Sequence, residues 1–467
     1  MSESVSVPFW LALVAAALAA WALYEHALMP LLRWAVMHPA NQVIDEVGKH
    51  LRIGIRPFQR TRRQALIHRL LTDPKVQQAA EQYALQHKVS LIEALKRVDR
   101  YARETVPAFN AYLYFRIGYW IGKRVAQLLY RVRLGYVDSE NLARVESDAT
   151  VVFVMNHRSN MDYVLAGYLA ADQTALSYAV GEWARIWPLS HLIRWMGAYF
   201  VRRNSKDELY RRVLERYIVM ATEAGVPQAV FPEGGLTRDG RMREPKLGAI
   251  DYMMRGFRID GERDLVFVPL GINYDRVLED RTLLRSNDPE AGRRGKLAAL
   301  GTTLGFAFNN LSLALRSRWY RFGYACANFG SPFSTREWLT KRGIDLKALD
   351  RDTRARVSAE LMKDLMHEVG RVIPVLPVSL VAHTLLAAQG PISTLELKAR
   401  VQALIDGLAT KDAKVYIPRG DREYSIEVGL RMLTLRRLVT DEGGLLTVVP
   451  KERQLLEYYS NAIAHLV

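Results

Sequence analysis

A histidine and an aspartate five positions apart form the motif with the clearest chemical meaning in this chain. His157 and Asp162 lie in the segment NHRSNMD, between the apolar run TVVFVM and a stretch with helical character. A carboxylate in the first turn of a helix can accept the ring N–H of the histidine, which leaves the other ring nitrogen free as a general base. The spacing is therefore typical of the histidine–aspartate half of a catalytic triad, with the substrate supplying the hydroxyl. The alternative is a helix cap of the form Ser159-x-x-Asp162 beside a histidine that only hydrogen-bonds in a loop.

A second motif combines adjacent glycines with clustered cations. The segment FPEGG at residues 231–235 follows another apolar run and leads into a loop whose cations are Arg238, Arg241, Arg243 and Lys246. Glycine lets backbone N–H groups approach an anion closely, and nearby cations can neutralise a phosphate. The motif therefore suits a phosphorylated ligand. A glycine pair is also often only a turn, and an arginine-rich loop is often a solvated face.

Two further motifs occupy the same kind of position. GAYFVRR at residues 197–203 ends in Arg202 and Arg203, and VPLG at residues 268–271 contains Pro269. All four motifs lie where a predicted strand ends, and α/β proteins gather ligands at the carboxyl ends of their strands. We therefore expect the four motifs to share one site.

The elements that must position these residues alternate between strands and helices. Short, continuously apolar, β-branched runs predict buried strands. They lie at residues 150–155, 198–201, 228–231, 265–270 and 323–330. Helical periodicity at residues 209–224 and 247–257, between these runs, predicts an α/β fold with a mixed sheet flanked by helices.

The regions on either side of this alternating pattern are predicted to be mainly helical. Residues 58–135 have apolar side chains at helical spacing, which indicates an N-terminal helical region. Beyond residue 390, two helices and a hairpin around Gly443 and Gly444 predict a small winged-helix-like subdomain. The sequence thus predicts four parts, which are an anchor at 1–40, a helical subdomain at 41–139, the domain with the four motifs at 140–375 and the C-terminal subdomain at 376–467.

The N-terminus predicts a membrane anchor. Residues 4–24 carry no formal charge, and a helix of this length just spans roughly 30 Å of hydrocarbon, although it could also lie in the interface. The less favoured alternatives are a buried core helix and a cleaved signal, and no cation precedes the apolar run as a signal would require. Downstream cations such as Arg33 and Lys49 orient the rest of the chain towards the cytoplasm, and the single Cys326 fits a reducing compartment. A second apolar stretch at residues 292–320 predicts either a core helix or a segment at a membrane surface.

Composition and charge limit the class of protein. Of the 467 residues, 49% are hydrophobic and 24% are charged, which excludes a disordered, collagenous or wholly membrane-embedded chain. A net charge of +16 indicates anionic partners, such as phosphates, anionic lipids, nucleic acid or an acidic protein. A membrane-tethered nucleic-acid-binding protein is the alternative of another class. The C-terminal tail, however, mixes both signs of charge without a basic stripe, so no nucleic acid is expected as a partner.

The four motifs together resemble the sequence blocks of the glycerolipid acyltransferase superfamily. NHRSNMD, GAYFVRR, FPEGG and VPLGINYD match that pattern in order and spacing. PKLG at 245–248, CANFGSP at 326–332 and EYYSNAIAHL at 457–466 are similar to bacterial membrane-bound glycerol-3-phosphate acyltransferases of the PlsB type. The resemblance covers residues 140–335 well and the C-terminal tail more loosely.

This resemblance implies an enzyme, a glycerol-3-phosphate O-acyltransferase of phospholipid biosynthesis. It would transfer a fatty acyl group from acyl-CoA or acyl-acyl carrier protein to the hydroxyl of a phosphorylated glycerol acceptor, glycerol 3-phosphate, and give lysophosphatidate. No covalent acyl-enzyme, cofactor or metal is implied. The implied location is the bacterial inner (cytoplasmic) membrane, with the catalytic domain facing the cytoplasm and anionic membrane lipids as further partners.

The resemblance also implies roles for individual residues. His157 would be the base that deprotonates the acceptor hydroxyl, Asp162 would orient it, and Arg203 would hold the acceptor phosphate. The other implied substrate-binding residues are Glu233, Gly234, Gly235, Arg238, Arg241, Lys246 and Pro269, of which Pro269 would shape a pocket wall.

One residue departs from the family pattern. Members that use glycerol 3-phosphate or dihydroxyacetone phosphate usually place an arginine after Glu-Gly-Gly or Glu-Gly-Thr, whereas this chain has Leu236. The departure leaves the acceptor open. A lysophospholipid acyltransferase of the 1-acylglycerol-3-phosphate type is therefore the alternative enzyme.

Overall fold

A mixed β-sheet lies at the centre of the part of the chain that the structure describes. The computed structural model describes residues 55–170, 174–180, 193–202, 205–285, 322–388 and 390–467. In chain order the strands of the sheet are β1 (Arg131–Val137), β2 (Thr150–Met155), β3 (Ser177–Val180), β4 (Tyr199–Phe200), β5 (Gln228–Val230), β6 (Leu265–Tyr274), β7 (Tyr324–Phe329) and β8 (Phe333–Ser334). In space the order is β1–β7–β6–β2–β5–β3–β4, with β8 paired to β6.

The four strands that carry motifs run in the same direction. β2 pairs in parallel with β5 on one side and β6 on the other, and β5, β3 and β4 continue the parallel part. β7 is antiparallel to β6, which makes the sheet mixed. Parallel strands end at the same edge of a sheet, so the loops that follow β2, β4 and β5 open on one side of the molecule.

Helices cover both faces of the sheet. They are α1 (Pro57–Arg60), α2 (Arg63–Leu71), α3 (Pro74–His87), α4 (Leu91–Thr105), a π-helical turn (Leu113–Gly118), α5 (Tyr119–Leu129), α6 (Ser139–Ala143), α7 (Met161–Ala170), α8 (Glu208–Glu223), α9 (Gly248–Gly256), α10 (Asp280–Arg285), α11 (Thr335–Arg342), α12 (Arg351–Val372), α13 (Pro377–Ala387), α14 (Thr394–Thr410), α15 (Arg422–Leu435) and α16 (Arg453–Ser460). Several begin at a side chain that accepts first-turn N–H groups, including Asp73, Ser90, Asp207 and Asp350.

Alternation along β2 divides the core into two layers. Val152 and Val154 pack with the N-terminal helices, α8, α9 and α12, whereas Val151, Phe153 and Met155 pack with α7 and the C-terminal helices. Side chains of a strand point alternately to opposite faces, so a strand covered on both faces is apolar throughout. This is why TVVFVM is completely buried.

The C-terminal part has the winged-helix-like arrangement that the sequence predicts. α14 and α15 precede a hairpin of β10 (Val439–Glu442) and β11 (Leu445–Val448), and β9 (Ile392–Ser393) completes a three-stranded sheet. Gly443 and Gly444 form the turn with positive φ angles. The predicted fold class, a mixed sheet with flanking helices, an N-terminal helical region and this subdomain, is confirmed.

One local prediction was wrong, and one strand was missed. The sequence predicts helix up to residue 135, whereas Arg131–Val137 form β1, a largely exposed strand at the edge of the sheet. An edge strand needs little apolar surface, so the strand lacks the apolar run that marks the buried strands. β3 was not predicted as a strand at all. The division of the chain into domains at 40, 139 and 375 stays a prediction.

The predicted location at the bacterial inner membrane is not supported. Among the residues that the structure describes, no helix has both the length and the apolar character for a bilayer crossing. A span needs about 20 mostly apolar residues, and α12, with 22 residues, is long enough but carries charged residues along its length. This finding overturns the assignment to that membrane with a catalytic domain facing the cytoplasm. The predicted anchor at residues 4–24 and the apolar stretch at 292–320 lie outside the described residues.

Candidate functional site

The loop between β2 and α7 brings the predicted histidine and aspartate together. Nδ1 of His157 lies 2.9 Å from Oδ2 of Asp162, and both side chains are buried, with 1% and 0% of their surface exposed. Because a carboxylate only accepts, the contact assigns the proton to Nδ1. Nε2 is then the basic nitrogen, and it is buried without a hydrogen-bond partner among the described residues.

Asp162 is held by three further hydrogen bonds. Its Oδ2 also accepts the backbone N–H groups of Arg158, at 2.7 Å, and Ser159, at 3.0 Å. Its Oδ1 accepts the hydroxyl of Tyr274 at 2.7 Å. The carboxylate therefore cannot rotate without losing several bonds, which fixes the direction in which it faces the imidazole.

The strand that precedes this loop is tied to β6 by a side chain. Asn156 donates through Nδ2 to the carbonyl of Ile272 and accepts the N–H of Ile272 through Oδ1, both at 2.8 Å. The amide thus imitates one more residue of the β-ladder at the point where the loop leaves the sheet. His157 therefore starts from a rigid position.

Glu233 holds the same loop from the other side. One of its oxygens accepts the backbone N–H of His157 at 2.9 Å, and the other accepts the backbone N–H of Arg243 at 3.1 Å. Burial raises the pKa of Glu233 to about 7, against the lowering effect of these two hydrogen bonds. The structure thus places this carboxyl against the backbone of two loops, and its predicted contact with the acceptor stays a prediction.

A first cavity, of about 360 Å³, opens beside His157. Its polar wall contains Lys246, Arg211 and the glycines Gly234 and Gly235, next to the imidazole. Its remaining wall is mainly apolar and includes Leu214, Ile218, Phe231, Leu247 and Ile250. Residues of NHRSNMD, GAYFVRR and FPEGG therefore line one hollow, whereas no residue of VPLG lines it.

The cations at the rim of the first cavity differ in how they are paired. Arg202 donates to both carboxylate oxygens of Glu104, at 2.8 and 2.6 Å, and these bonds raise the pKa of Arg202. Its charge is thus already balanced. Within the described ranges Arg211 has one weak ion pair, with Glu208 at 3.5 Å, and Lys246 is exposed. Arg203, the predicted phosphate ligand, lies outside the described residues.

A second cavity, of about 210 Å³, is almost entirely apolar. Tyr119, Val125, Val164, Gly167 and Met196 line it, between α5 and α7. Tyr163 and Val180 line both cavities. The ring of Tyr163 also lies 5.5 Å from that of His157, so the two cavities meet close to the imidazole.

Four of the predicted binding residues line neither cavity: Glu233, whose contacts are given above, and Arg238, Arg241 and Pro269. Arg238 and Arg241 are exposed, in the loop after β5. Pro269 is buried inside β6 opposite Val154, and its carbonyl accepts the N–H of Gly330 at 2.8 Å. In the structure Pro269 is therefore part of the paired sheet. The role in a pocket wall that the resemblance implies stays a prediction.

Sequence reasoning missed several residues of the site. Arg211 lies at helical spacing within α8, where a charged residue normally indicates only a solvated face. Tyr274 was within a matched motif, VPLGINYD, but nothing in the spacing linked it to Asp162. Among the described residues, no group of three or more His, Cys, Asp or Glu side chains could hold a metal ion.

Comparisons with known proteins cover most of the chain. A family profile named Acyltransferase matches residues 136–273, and a profile named Glycerol-3-phosphate acyltransferase C-terminal region matches residues 308–467.

A glycerol-3-phosphate acyltransferase of Pseudomonas aeruginosa is 28% identical over 439 residues, which is 91% of this chain and 51% of that protein. The same enzyme of Ectopseudomonas mendocina is 28% identical over 95% of this chain and 52% of its own length. The chain therefore spans about half the length of the curated relatives it matches.

A solved structure also resembles part of this chain. The 1-acyl-sn-glycerophosphate (LPA) acyltransferase of Thermotoga maritima is 18% identical to this chain. The match covers 55% of this chain and 79% of that protein, with a TM-score of 0.32.

Proposed function

We propose that this chain, which belongs to the glycerolipid acyltransferase superfamily, transfers a fatty acyl group from a thioester to the hydroxyl of glycerol 3-phosphate. The observation that carries the proposal is the hydrogen bonding of His157 and its position at the first cavity. Its Nδ1 donates to Asp162, its Nε2 has no partner among the described residues, and its ring lines the first cavity. An alcohol in this cavity can give its proton to Nε2.

The proposed reaction needs no group beyond the imidazole and the two substrates. The acceptor hydroxyl donates to Nε2 of His157, and its oxygen attacks the thioester carbonyl as the proton moves to the ring. The imidazolium that forms is stabilised by Asp162. The tetrahedral intermediate then expels the thiolate, which takes the proton from the ring. A C–O bond has formed, a C–S bond has broken, and lysophosphatidate and a free thiol leave.

The acceptor phosphate would bind at the polar wall of the first cavity. Lys246 and Arg211 line this wall together with Gly234 and Gly235. Arg202 is a poorer ligand because Glu104 already balances its charge. Arg203 keeps the role that the family resemblance implies.

The acyl chain would lie in the second cavity. Its walls are apolar, and it meets the first cavity at Tyr163, next to His157. Burying a methylene group is worth about 0.8 kcal/mol, so an apolar cavity of this kind favours a fatty chain over a polar ligand. The donor is acyl-CoA or acyl-acyl carrier protein, whose phosphates suit the net positive charge of the chain. Anionic membrane lipids stay a prediction.

One observation favours a second candidate, a lysophosphatidate acyltransferase. The first cavity has a largely apolar wall, with Leu214, Ile218 and Ile250, and glycerol 3-phosphate has no apolar part to occupy it. An acceptor that already carries an acyl chain would use this wall, and Leu236 in place of the family arginine points in the same direction. Each of the two cavities would then hold one chain.

An acceptor panel tests the proposal. The purified chain is given one thioester donor, palmitoyl-CoA, and glycerol 3-phosphate, lysophosphatidate or lysophosphatidylcholine in turn, and the product ester is measured. We expect the highest kcat/KM for glycerol 3-phosphate; a preference for lysophosphatidate would establish the second candidate instead. His157→Ala should reduce kcat by about three orders of magnitude or more with an unchanged melting temperature. A variant with near-normal turnover would overturn the mechanism.

A further inference from the structure

Tyr274 shares the carboxylate of Asp162 with the proposed base. Its hydroxyl donates to Oδ1 of Asp162 at 2.7 Å, while Nδ1 of His157 contacts Oδ2 at 2.9 Å. We infer that Tyr274 is a positioning residue that sets how strongly His157 holds a proton, acting through Asp162. The expected effect of Tyr274 on turnover rests on the proposed function, whereas its expected effect on the His157 imidazole does not.

The register of the sheet places Tyr274 next to the loop that joins β2 to α7. β2 ends where Met155 is opposite Leu270, and β6 continues to Tyr274, its last residue. Tyr274 is paired with Ala325 of β7 on its other side, and 1% of its surface is exposed. Because backbone pairing and burial hold the ring, the hydroxyl stays at one position below Asp162.

The hydroxyl remains a donor throughout the working pH range. Burial raises the pKa of Tyr274 well above its usual value, and the negative charge of Asp162 raises it further. A phenol that stays protonated next to a carboxylate donates to it permanently. Part of the negative charge of Asp162 is thus engaged by Tyr274 and is less available to an imidazolium.

Removal of the hydroxyl should have two effects. The carboxylate would interact more strongly with a protonated ring, so the basic form of His157 would be reached at higher pH. The carboxylate would also lose one of its four anchors, which would reduce kcat because the imidazole is less firmly oriented. A purely structural tyrosine would change stability without moving the pH profile.

Other ionisable groups face the same site and must be separated from this effect. Glu279, whose pKa is raised by burial, lies near Tyr274 and accepts the hydroxyl of Ser159 at 2.8 Å. Tyr130 contacts the ring of Tyr274 with centroids 5.2 Å apart. The charged side chain of Arg158 is next to His157 in the chain. Glu233, with a pKa of about 7, accepts the backbone N–H of His157. Because Glu233 titrates in the same range as an imidazole, it is the main competing source of a pH effect.

The closing experiment compares Tyr274→Phe with Tyr130→Phe. Tyr130 is an equally buried tyrosine, but its hydroxyl donates to the carbonyl of Arg276 at 2.8 Å and does not contact Asp162. The titration midpoint of the His157 imidazole is measured by NMR of 15N-histidine-labelled protein, assigned with His157→Gln, and kcat/KM is measured from pH 5 to 9. Each variant is also prepared with Glu233→Gln, so that any shift from that carboxyl is removed.

The expected result is specific to one tyrosine. Tyr274→Phe should move the imidazole midpoint and the acidic limb of kcat/KM up by about half a pH unit or more and lower kcat several-fold. Tyr130→Phe should lower the melting temperature without moving either. An unmoved midpoint in Tyr274→Phe, or an equal shift in Tyr130→Phe, overturns the inference.

A second variant keeps the test independent of folding. Site-specific replacement of Tyr274 by 3,5-difluorotyrosine retains the ring and hydroxyl but makes the phenol a stronger donor, so the midpoint should move to lower pH. An upward or absent shift would contradict the role of Tyr274. If the wild-type chain acylates no acceptor, the proposed function fails, whereas the imidazole midpoint still decides the inference.

Discussion

Gly240 packs directly against the backbone of Tyr458. A Cβ built on Gly240 would overlap the carbonyl oxygen of Tyr458 in α16, and Gly240 has a φ of +87°. The carbonyl of Gly240 accepts a hydrogen bond from Arg158, the residue after His157, and Asn461 donates to the carbonyl of Asp239 at 2.8 Å. The loop that follows the FPEGG motif is therefore held between the loop that joins β2 to α7 and the C-terminal subdomain.

We expect Gly240→Ala to destabilise the protein and lower its activity together. Left-handed backbone strain and the overlap with Tyr458 should reduce the free energy of unfolding by about 3 kcal/mol or more. Chemical denaturation measures this. Gly343→Ala is the control, since Gly343 has a φ of +65° but open space around its Cβ position, so only the strain, about 1 kcal/mol, should appear. Equal losses in both variants would contradict the close packing.

Arg211→Gln should weaken binding of the acceptor. If Arg211 binds the acceptor phosphate, loss of a charge-assisted hydrogen bond should raise the acceptor KM about tenfold or more and leave the donor KM nearly unchanged. Arg212→Gln is the matched control, because Arg212 is the next residue of α8 but pairs with Glu215 at 3.0 Å and lines neither cavity. Steady-state kinetics with both substrates varied distinguishes them. A rise only in the donor KM would assign Arg211 to the donor.

Gly167→Leu should shorten the preferred acyl chain. Gly167 lines the second cavity, and a Cβ at this position has no atom within 4 Å, so a leucine would fill space that a fatty chain is proposed to use. The kcat/KM ratio of palmitoyl to decanoyl donor should fall about tenfold. Gly407→Leu, at an exposed helical position with similarly open space, should leave the ratio unchanged. An unaltered ratio in Gly167→Leu would remove the acyl chain from this cavity.

Glu233→Gln should change how stability depends on pH. In the folded protein the pKa of Glu233 is raised to about 7, whereas in the unfolded chain it is about 4.3. Between these values the folded state keeps a proton that the unfolded state has released, so this carboxyl makes the wild type less stable as pH rises from about 4.5 to 7. The variant lacks this effect. Relative to the variant, the wild type should lose on the order of 3 kcal/mol of unfolding free energy over that window. A difference that is independent of pH would contradict the raised pKa.

The parts of the site that depend on local sequence could be predicted. His157 and Asp162 are joined by one turn between a strand and a helix, so their contact follows from the spacing. β2 was predicted with its observed bounds, Thr150–Met155, because burial on both faces makes a strand continuously apolar.

The parts that depend on register could not be predicted. Tyr274 reaches Asp162 only because β6 pairs with β2 in one register and extends four residues past its end, and no local pattern specifies that alignment. The ion pair of Arg202 could not be predicted either, because its partner, Glu104, lies in α4, in another part of the chain. Long-range contacts of this kind leave no spacing signal in one sequence.

The pairing of β1 has a consequence for synthesis of the protein on the ribosome. Among the strands that the structure describes, β1 pairs with one, β7, which lies roughly 190 residues further along the chain. At about 5 to 20 residues per second, the nascent strand waits roughly 10 to 40 seconds for its neighbour. During that delay its unpaired backbone is open to wrong partners, so a chaperone that shields the emerging chain should increase the yield of correctly folded protein.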